Sequence, residues 1–533
     1  MKFFARSLLI LLALYGLVFA VGDAYLAHAG AHLGIALGFA AATIAIQYLL
    51  APVFINWMLD IYWDEKGTEL PAATREFLDR LCAQRGIDVP RIGIIYSGTP
   101  NAFCFGYTPG HANLVVTSGL LETLTPEEAN AVLAHEVGHI EHWDFVVMAI
   151  AALAPLLLYQ VYAFTDRINN LRVVAFAAYA CYWLGQFLVL LLNRTREYFA
   201  DGFSAEVTRA PDVLSSALVK VAYGMIHADG ERQKTLRFGA TDEKKAVRRE
   251  QRWAGALGLM GVSSARAGSA LALASADPAR AAAVMRWDLV NPWAGLYEIN
   301  STHPKTALRV RALNEQAQEM HQSIRYPLPE DQRVAWGSFP LEVALWAAPG
   351  LCAAAIALIV WQGKWMSARG LGLPPRAIPA LLVFGGVAWM LRVYCRYRGE
   401  FQPAAIGQLI EDVEVSEMRP RAVRLEGEIL GQGVPGAFWS PDLVLQDSTG
   451  MLFVLYRQSI PLARFFFAIT EAEKWIGKKV AIEGWFRRGT RPYVEMSRLT
   501  GEDGKAHRTY SRWVQYALAA AAVAIGWAWL SIR

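Results

Sequence analysis

The sequence predicts a predominantly α-helical integral membrane protein with about seven spans, an α+β domain and a small C-terminal β-barrel of the OB-like type. Three observations support this fold class. Hydrophobic residues make up 54% of the 533 residues and charged residues only 18%, whereas soluble domains carry about 25% charged residues. The apolar residues are concentrated in long runs. Residues 401–510 alternate instead between apolar and polar side chains, as strands do.

Seven apolar runs are candidate membrane spans, because a helix needs roughly 20 residues to cross the hydrocarbon core. The runs are Ser7–Gly22, Leu33–Met58, Phe145–Phe164, Val173–Leu192, Val343–Trp361, Ala377–Leu391 and Trp513–Leu530. Two other interpretations stay open. Residues 1–20 could be a cleaved signal peptide. The third and fourth runs could be buried hairpin helices that enter the bilayer without crossing it, since Pro155 interrupts the third.

Basic residues near these runs predict the orientation, because Lys and Arg are enriched in cytoplasmic loops. Lys2 and Arg6 place the N-terminus inside, and Arg194 and Arg196 follow the fourth run on the same side. The basic loop at 362–376 opposes this orientation. The polar stretches that then face the cytoplasm are 60–144, 194–340 and 393–512. We therefore expect a multi-pass protein of the inner (cytoplasmic) membrane, with the lipid bilayer as a partner.

Net charge and cysteine usage exclude two classes of site. A net charge of +4 is too weak to indicate a nucleic-acid partner. The cysteines are scattered and form no Cys-x-x-Cys pair. Neither a disulfide framework nor a cysteine-based zinc site is therefore predicted. No nucleic-acid partner is expected.

The strongest chemical signal is a His-Glu-x-x-His motif formed by His135, Glu136 and His139. Thr125 and Glu128 form a capping-box pattern that begins a helix just before it. Side chains four residues apart lie on one face of a helix, so His135 and His139 can bind one Zn²⁺ together. Glu136 lies beside them and is placed to accept a proton from water rather than to bind the metal.

A catalytic zinc ion needs a third protein ligand and one open position. Glu197 is the best candidate, because it follows the fourth run and precedes Asp201 by four residues. One helix would then present both carboxylates to the zinc helix, with Asp201 accepting the spare N–H of a ligating histidine. His142 follows His139 by three residues, where helix geometry makes it awkward as a third tetrahedral ligand.

At these residues the chain resembles the membrane zinc metallopeptidases that include HtpX and the CAAX prenyl endopeptidases. The resemblance covers residues 1–315, and its segments come in that family's order. The segments are Asn101-Ala102-Phe103, the motif at 135–139 with Asp144 beyond it, the Arg-x-x-Glu-Tyr-x-Ala-Asp type stretch that ends at Asp201, and Ser301-Thr302-His303-Pro304 with Arg309.

The resemblance implies a gluzincin-type zinc peptidase domain that holds one Zn²⁺. His135, His139 and Glu197 are the implied ligands, and Glu136 is the implied general base. Zinc would polarise the scissile carbonyl, while Glu136 would take a proton from water and pass it to the leaving amine. The implied substrate is a polypeptide, expected to be a membrane or misfolded protein. The implied role is HtpX-like quality control near the cytoplasmic membrane surface.

Other residues are expected to support this site. Asp201 matches the family's second acidic position, and Asp144 is expected in the same supporting role. The family's His-Pro element falls on His303, which is implied as a catalytic residue that helps to bind the oxyanion. A helix-capping role for residues 302–304 is an equally open alternative.

Short strands before the zinc helix predict a substrate cleft. The strands are expected at Arg91–Ser97, Asn101–Tyr107 and Ala112–Thr117. An extended peptide could add to the edge of such a sheet through main-chain hydrogen bonds. The resemblance implies that Asn101, Ala102 and Phe103 form that edge and bind the substrate. Core packing of the same residues is the alternative.

Two other functions stay open. A CAAX-prenyl-type protease would act on lipidated tails, but large cytoplasmic insertions and a terminal barrel separate the spans here. A non-catalytic membrane scaffold could use the barrel for binding, but the intact motif and Glu197 argue against it.

Residues 401–510 predict a separate barrel. Its elements are expected to be the strands Arg421–Ile429, Leu443–Gln446, Met451–Tyr456, Lys479–Phe486 and Pro492–Met496, with a helix over Leu462–Trp475. Five short strands with one helix before the fourth suit an OB-like barrel. Arg487, Arg488 and Arg491 are expected in a solvated or headgroup-facing loop. The barrel is expected to bind a partner or the substrate.

The predicted domains follow from these features. They are two N-terminal spans (1–59), the zinc metallopeptidase domain (60–340) with its helices 145–164 and 173–192, a membrane helix pair (341–392), the barrel (393–512) and a C-terminal span (513–533). The Arg- and Ala-rich insertion at 230–290 is longer than the resemblance leads one to expect.

Overall fold

A computed structural model provides the coordinates. It describes residues 33–65, 67–96, 100–166, 171–222, 277–329, 334–367, 376–432, 441–458, 461–489 and 491–532. The first predicted span, Ser7–Gly22, lies outside these residues, and so does most of the insertion at 230–290.

Helices form most of the described chain. They are α1 (Leu33–Met58), α2 (Ala72–Arg85), α3 (Ser118–Thr123), α4 (Pro126–Glu141), α5 (Asp144–Thr165), α6 (Arg172–Thr208), α7 (Pro278–Val290), α8 (Pro292–Glu298), α9 (Thr306–Glu319), α10 (Phe339–Ser367), α11 (Ala377–Arg396), α12 (Ile406–Glu411), α13 (Pro461–Phe466) and α14 (Ser511–Ser531). Residues 211–222 are also helical. The strands are β1 (Tyr62–Trp63), β2 (Arg91–Ile95), β3 (Ala102–Gly106), β4 (Ala112–Thr117), β5 (Gln402–Pro403), β6 (Arg421–Gln432), β7 (Leu443–Gln446), β8 (Met451–Leu455), β9 (Lys479–Arg488), β10 (Pro492–Gly501) and β11 (Ala506–Arg508).

Five helices of the described chain are long and apolar enough to cross a membrane, judged by length and composition. They are α5, α6, α10, α11 and α14, which cover the third to seventh predicted runs. The second run forms α1, a 26-residue helix that contains Pro52. The prediction of a mainly helical protein with several membrane helices is confirmed.

Small residues let two of these helices approach closely. A Cβ atom added to Gly386 of α11 would lie 2.9 Å from the carbonyl oxygen of Ala519 in α14. A Cβ atom added to Gly526 of α14 would lie 2.7 Å from the carbonyl oxygen of Pro379 in α11. Contacts of this kind are typical of helices that associate within a membrane, where close backbone packing replaces the hydrophobic effect.

The soluble part before the zinc motif contains a four-stranded sheet in the order β1–β2–β4–β3. β2 and β4 are parallel, while β3 runs antiparallel to β4. The three predicted strands are therefore present, with small differences at their ends. Among the described strands, β3 lies at the edge of this sheet.

α6 joins the membrane part to the soluble part without interruption. Its 37 residues run from Arg172 to Thr208, whereas the sequence pattern suggested a span that ends near Leu192. α5 packs beside it through Ala151 and Ala154, which form a buried cluster with Leu192. Residues that follow the apolar part of α6 therefore keep the direction of the membrane helix.

The C-terminal strands close into a five-stranded barrel. β6 pairs with β7, β7 with β8, and β9 with both β6 and β10, all antiparallel. The parallel pairing of β8 with β10 completes the ring. The short strands β5 and β11 extend it beside β6 and β10. The helical stretch from α13 to Trp475 lies between β8 and β9.

The prediction of a solvated loop for the barrel arginines was wrong for two of them. Arg487 and Arg488 lie at the end of β9 and are 0% and 6% exposed. Arg487 forms an ion pair with Glu495 of β10, and Arg488 donates to the carbonyl oxygen of Ile410 at 2.6 Å. Burial alone would raise the pKa of Glu495, but Arg487 and neighbouring arginines lower it to about 2. Arg491 is half-buried over the ring of a phenylalanine.

Candidate active site

The helix that carries the motif, α4, begins at the predicted capping box. Thr125 Oγ1 accepts a hydrogen bond from the Glu128 amide, and Glu128 Oε2 accepts one from the Thr125 amide at 2.9 Å. Ser216 and Lys220 each donate to Glu128 at 2.7 Å. Burial alone would raise the pKa of this carboxyl group, but Lys220 and the Thr125 amide lower it overall. The start of α4 is thus fixed locally and anchored to the helical residues 211–222.

α4 and α6 pack close together at the motif. A Cβ atom added to Gly138 would lie 3.2 Å from the Cα atom of Ala200. Ser204 of α6 donates to the carbonyl oxygen of Ala131 in α4 at 2.6 Å. Glycine in the motif therefore permits the approach that brings Glu197 to the histidines.

The structure brings His135, His139 and Glu197 together. Nε2 of His135 lies 3.2 Å from Nε2 of His139. Each of these nitrogens lies 3.7 Å from a carboxylate oxygen of Glu197. His135 and Glu197 are buried and His139 is nearly so. Together they form a group that could hold a metal ion, with one ligand atom from each residue within 4.8 Å of the others.

A carboxylate supports each histidine from behind. Nδ1 of His139 donates to Asp144 Oδ2 at 2.6 Å, and Nδ1 of His135 lies 3.0 Å from Asp201 Oδ1. Because a carboxylate can only accept a hydrogen bond, each histidine donates its Nδ1–H to the carboxylate behind it. The lone pair on Nε2 of each histidine then points toward Nε2 of the other histidine. Two lone pairs and a carboxylate then converge on one point. Three electron-pair donors that meet at one position can coordinate a cation, so this donor set fits a zinc ion.

Arg309 of α9 belongs to the segments that carry the family resemblance, and no role at the site was predicted for it. It is 2% exposed and grips Asp201 through two hydrogen bonds of 2.8 and 2.5 Å. Its Nη1 atom also lies 3.2 Å from Glu197 Oε2. Burial disfavours the charge of Arg309, but Asp201 and Glu197 outweigh this effect and raise its pKa. Apart from this ion pair, Glu197 Oε2 accepts no hydrogen bond from any described residue.

The loop before α9 carries His303 to the same place. Nδ1 of His303 lies 3.0 Å from Glu197 Oε1. Arg194 Nη1 donates to the carbonyl oxygens of residues 298, 299 and 301, and Asn193 donates to that of residue 302. The helix-capping alternative was wrong, because the N-cap of α9 is Lys305 and forms no side-chain cap hydrogen bond.

Glu136 lies on α4 between the two histidines and is 3% exposed. It shares a hydrogen bond with the thiol of Cys104 in β3. Burial raises the pKa of this thiol well above its ordinary value, and the nearby Glu136 and Glu197 add to the shift. The sequence predicted neither a disulfide nor a zinc-binding role for Cys104. No local pattern points to it, because the contact depends on how β3 packs against α4.

The predicted substrate segment lies at the sheet edge, but its side chains point largely inward. Ala102 and Phe103 are 0% and 2% exposed and belong to buried apolar clusters. The backbone N–H of Asn101 donates to Thr117 Oγ1 at 2.8 Å, which fixes the start of β3. The core-packing interpretation therefore holds for Ala102 and Phe103, and substrate binding by this segment stays a prediction.

A cavity of about 560 Å³ opens beside β3. It lies between β3 and the helices α1, α5 and α6, and its lining is mainly apolar and aromatic. The lining includes Tyr48, Ile55, Cys104, Phe105, Phe145, Leu156, Tyr159 and Tyr182. Cys104 borders this cavity and also contacts Glu136. The cavity therefore lies beside the long apolar helices, and Cys104 connects its wall to the motif.

Known proteins share this part of the chain. The pattern of Peptidase family M48 matches residues 72–317. A protein named Protease HtpX homolog from Methanothermobacter thermautotrophicus is 36% identical over 225 residues, which are 40% of this chain and 84% of that protein. The chain belongs to peptidase family M48. A Protease HtpX homolog from Acidiphilium cryptum is 33% identical and matched over 40% of this chain and 77% of its own length.

A solved structure, that of S. mikatae Ste24p, is matched over 58% of this chain and 65% of that chain, with 16% identity and a TM-score of 0.33. The M48 match runs from the start of α2 into α9 and contains the proposed metal ligands together with Glu136, His303 and Arg309. α10, α11, the barrel and α14 lie beyond the match. The resemblance to the M48 metallopeptidases predicted from the motifs is confirmed.

Proposed function

We propose that this M48 protein is a membrane-embedded zinc endopeptidase that cleaves membrane or misfolded proteins at the cytoplasmic surface of the inner membrane. One observation carries the proposal: His135, His139 and Glu197 converge beside Glu136, next to an edge strand. Glu197 follows the end of the apolar run of α6 by five residues, or about 8 Å of helix. Asp144, behind His139, is the first residue of α5. The site therefore belongs at the membrane boundary.

His135, His139 and Glu197 would hold the zinc ion, with Asp144 and Asp201 orienting the two imidazoles. When bound there, zinc supplies a Lewis acid for the scissile carbonyl and lowers the pKa of water. Arg309 holds Asp201 in place and balances two buried carboxylates.

Glu136 would accept the proton of the attacking water and return it to the leaving amine. Its burial and its place between the two histidines support this role. His303, held beside Glu197 by its loop, would donate to the oxyanion of the tetrahedral intermediate. This proton path uses the chain's own residues and leaves them in their starting protonation state after each cycle.

The substrate would bind as an extended strand along β3, with main-chain hydrogen bonds to this edge. The apolar cavity beneath Cys104 would take one of its side chains, since alternate side chains of a strand point to opposite faces. An aromatic or aliphatic side chain suits this lining. We infer that the preferred cleavage sites lie near the end of a membrane helix of the substrate protein. Segments of this kind carry apolar side chains that can enter the cavity.

The proposed domain division follows the apolar runs and the strand pattern of the sequence. We propose the division into residues 1–59, 60–340, 341–392, 393–512 and 513–533, with the soluble parts in the cytoplasm. The ring order β6–β7–β8–β10–β9 supports an OB-like barrel, as does the helix between β8 and β9, the third and fourth barrel strands along the chain. We propose that the barrel positions a partner or the substrate rather than a nucleic acid.

The test compares Glu136→Gln with Glu141→Gln in the full-length protein. Glu141 lies on the same helix but forms an ion pair with Arg85 at the surface. Glu136→Gln should bind zinc as the unchanged protein does and lose at least about 100-fold in cleavage of an unfolded membrane protein. Glu141→Gln should cleave normally. Zinc-dependent cleavage by Glu136→Gln at the normal rate would disprove the assignment.

The CAAX-prenyl-type alternative has one observation in its favour, because an apolar cavity of this size could also hold a lipid chain. A pair of otherwise identical peptides, one prenylated, separates the two functions. We expect no preference for the prenylated peptide. Cleavage restricted to it would establish the alternative.

A further inference from the structure

The barrel carries an apolar stripe that its own core does not use. Four residues between β8 and β9 are exposed by 61%, 48%, 55% and 46%, and they are Leu462, Phe465, Phe466 and Ile469. Their spacing of three, one and three residues is that of one face of a helix. We refer to these four residues as the apolar stripe.

The opposite face of the same segment completes the barrel. Phe467, Ala472 and Trp475 are buried and belong to the apolar core that fills the barrel. The fold of the barrel therefore explains the inner face and leaves the stripe unexplained. Contiguous exposed apolar surface on a soluble domain usually marks a binding site for protein or membrane.

The stripe is tied to the point where the chain enters the last membrane helix. The ring of Phe467 stacks on Tyr456 with a centroid distance of 3.9 Å and lies 4.8 Å from that of His507. Gln458 donates to the carbonyl oxygen of Arg508 and accepts from the amide of Tyr510. α14 begins at the next residue, Ser511. Ser511 follows His507 by four positions, so their Cα atoms are at most about 14 Å apart.

Side chains around this entry point match a membrane surface. Tyr510 and Trp513 are 59% and 61% exposed, as aromatic residues at a membrane interface are. Arg464, within the stripe's helix, and Arg508 are exposed cations. Glu471 forms an ion pair with Lys474 at 2.8 Å, so its charge is balanced. The surroundings of the stripe therefore favour anionic lipid headgroups.

We propose that the apolar stripe inserts into the cytoplasmic interface of the bilayer, with Arg464 and Arg508 on anionic phosphate groups. Helices with one apolar and one polar face lie in this plane and bury their apolar side by about 5–10 Å. The barrel is then held to the membrane at three places: the end of α11, the start of α14 and the stripe. This inference does not depend on the proposed proteolysis.

The test places a photoreactive residue on the stripe of the full-length protein in vesicles of phosphatidylcholine and phosphatidylglycerol. Phe466→p-benzoylphenylalanine probes the stripe, and Trp529→p-benzoylphenylalanine in α14 is the positive control. Glu473→p-benzoylphenylalanine, on an exposed site of the same segment, is the negative control. Intact mass identifies the product after illumination.

We expect phospholipid adducts at position 466 within about threefold of those at 529 and at least about tenfold above those at 473. Equal yields at 466 and 473, no lipid adduct at 466, or adducts mainly to a second chain or another polypeptide would overturn the proposal. Arg464→Glu should lower the yield at 466 by about fivefold with phosphatidylglycerol and leave it unchanged with phosphatidylcholine alone. Equal behaviour in the two lipids would overturn the choice of an anionic headgroup.

Discussion

Replacing Asp144 with asparagine should weaken zinc binding without unfolding the site. Asp144 accepts the Nδ1 proton of His139 at 2.6 Å, so it fixes the tautomer that presents the Nε2 lone pair to the metal. An asparagine of the same size can still accept a hydrogen bond, but it lacks the charge that increases the basicity of the imidazole. Removing such a partner costs about 10- to 100-fold in metal affinity, or about 1.4–2.8 kcal/mol.

The assay is competition for zinc between the purified full-length protein and a chromogenic chelator. Asp79→Asn is the matched control, because Asp79 forms an exposed ion pair with Arg75 on the same helix, α2. It should bind zinc like the unchanged protein. Asp144 also pairs with Arg196, which a second variant, Arg196→Gln, probes separately. Zinc affinity of Asp144→Asn within about twofold of the control would refute the reasoning.

Three further predictions concern residues around the site. Arg309→Leu leaves the carboxylates of Asp201 and Glu197 buried without their cation, and it should destabilise the zinc-free protein by about 3–5 kcal/mol, with a smaller loss when zinc is added. Cys104→Trp should fill the cavity and lower kcat/KM for a membrane protein by at least about tenfold at unchanged zinc content, whereas Cys104→Ala should remain active. Glu128→Gln should lower stability by about 1–2 kcal/mol at neutral pH, and the difference from the unchanged protein should shrink as the pH falls.

The direction of the Glu128 effect follows from its pKa. The folded protein lowers this pKa, so the stabilisation is fully present above the pKa of an unfolded carboxyl, about 4.3. It is lost as the pH falls through the folded value. Thermal unfolding of both proteins, measured from neutral pH down through the folded pKa of Glu128, checks this direction. A stability difference between the unchanged protein and Glu128→Gln that grows as the pH falls would contradict the ion pair with Lys220. The Arg309→Leu prediction would be contradicted if the loss of stability were the same with and without zinc. The Cys104→Trp prediction would be contradicted by normal turnover.

Local sequence signals predicted the parts of the site that depend on neighbours along the chain. Thr125 and Glu128 are three residues apart, and their capping box marked the start of α4. The pairs His135–His139 and Glu197–Asp201 have helical spacing, so the sequence placed each pair on one face. The strands Leu443–Gln446 and Ala112–Thr117 were predicted with the bounds observed, because alternation and turns define them locally.

Contacts between distant segments could not be predicted in the same way. Arg309 lies 108 residues after Asp201, and nothing in the spacing indicates that α9 passes behind α6. Arg487 looked like a loop cation because its partner, Glu495, belongs to another strand whose register was unknown. The sequence pattern also ended the fourth span near Leu192, since charges begin there, whereas backbone hydrogen bonds continue the helix to Thr208.

Because α6 is uninterrupted, a movement of its apolar half in the bilayer is transmitted to the residues that it contributes to the site. Where α6 crosses the bilayer, its apolar half has to match the bilayer thickness, and helices accommodate a mismatch by tilting. Glu197 lies about 15 residues, or roughly 22 Å, from the middle of that half. A change in tilt of about 5° would therefore displace Glu197 by about 2 Å relative to that point, unless α4 moved with it. α4 packs on α6 at Gly138 and continues through residues 142–143 into α5, so we expect lipid chain length to alter the geometry of the site where α5 and α6 tilt by different amounts.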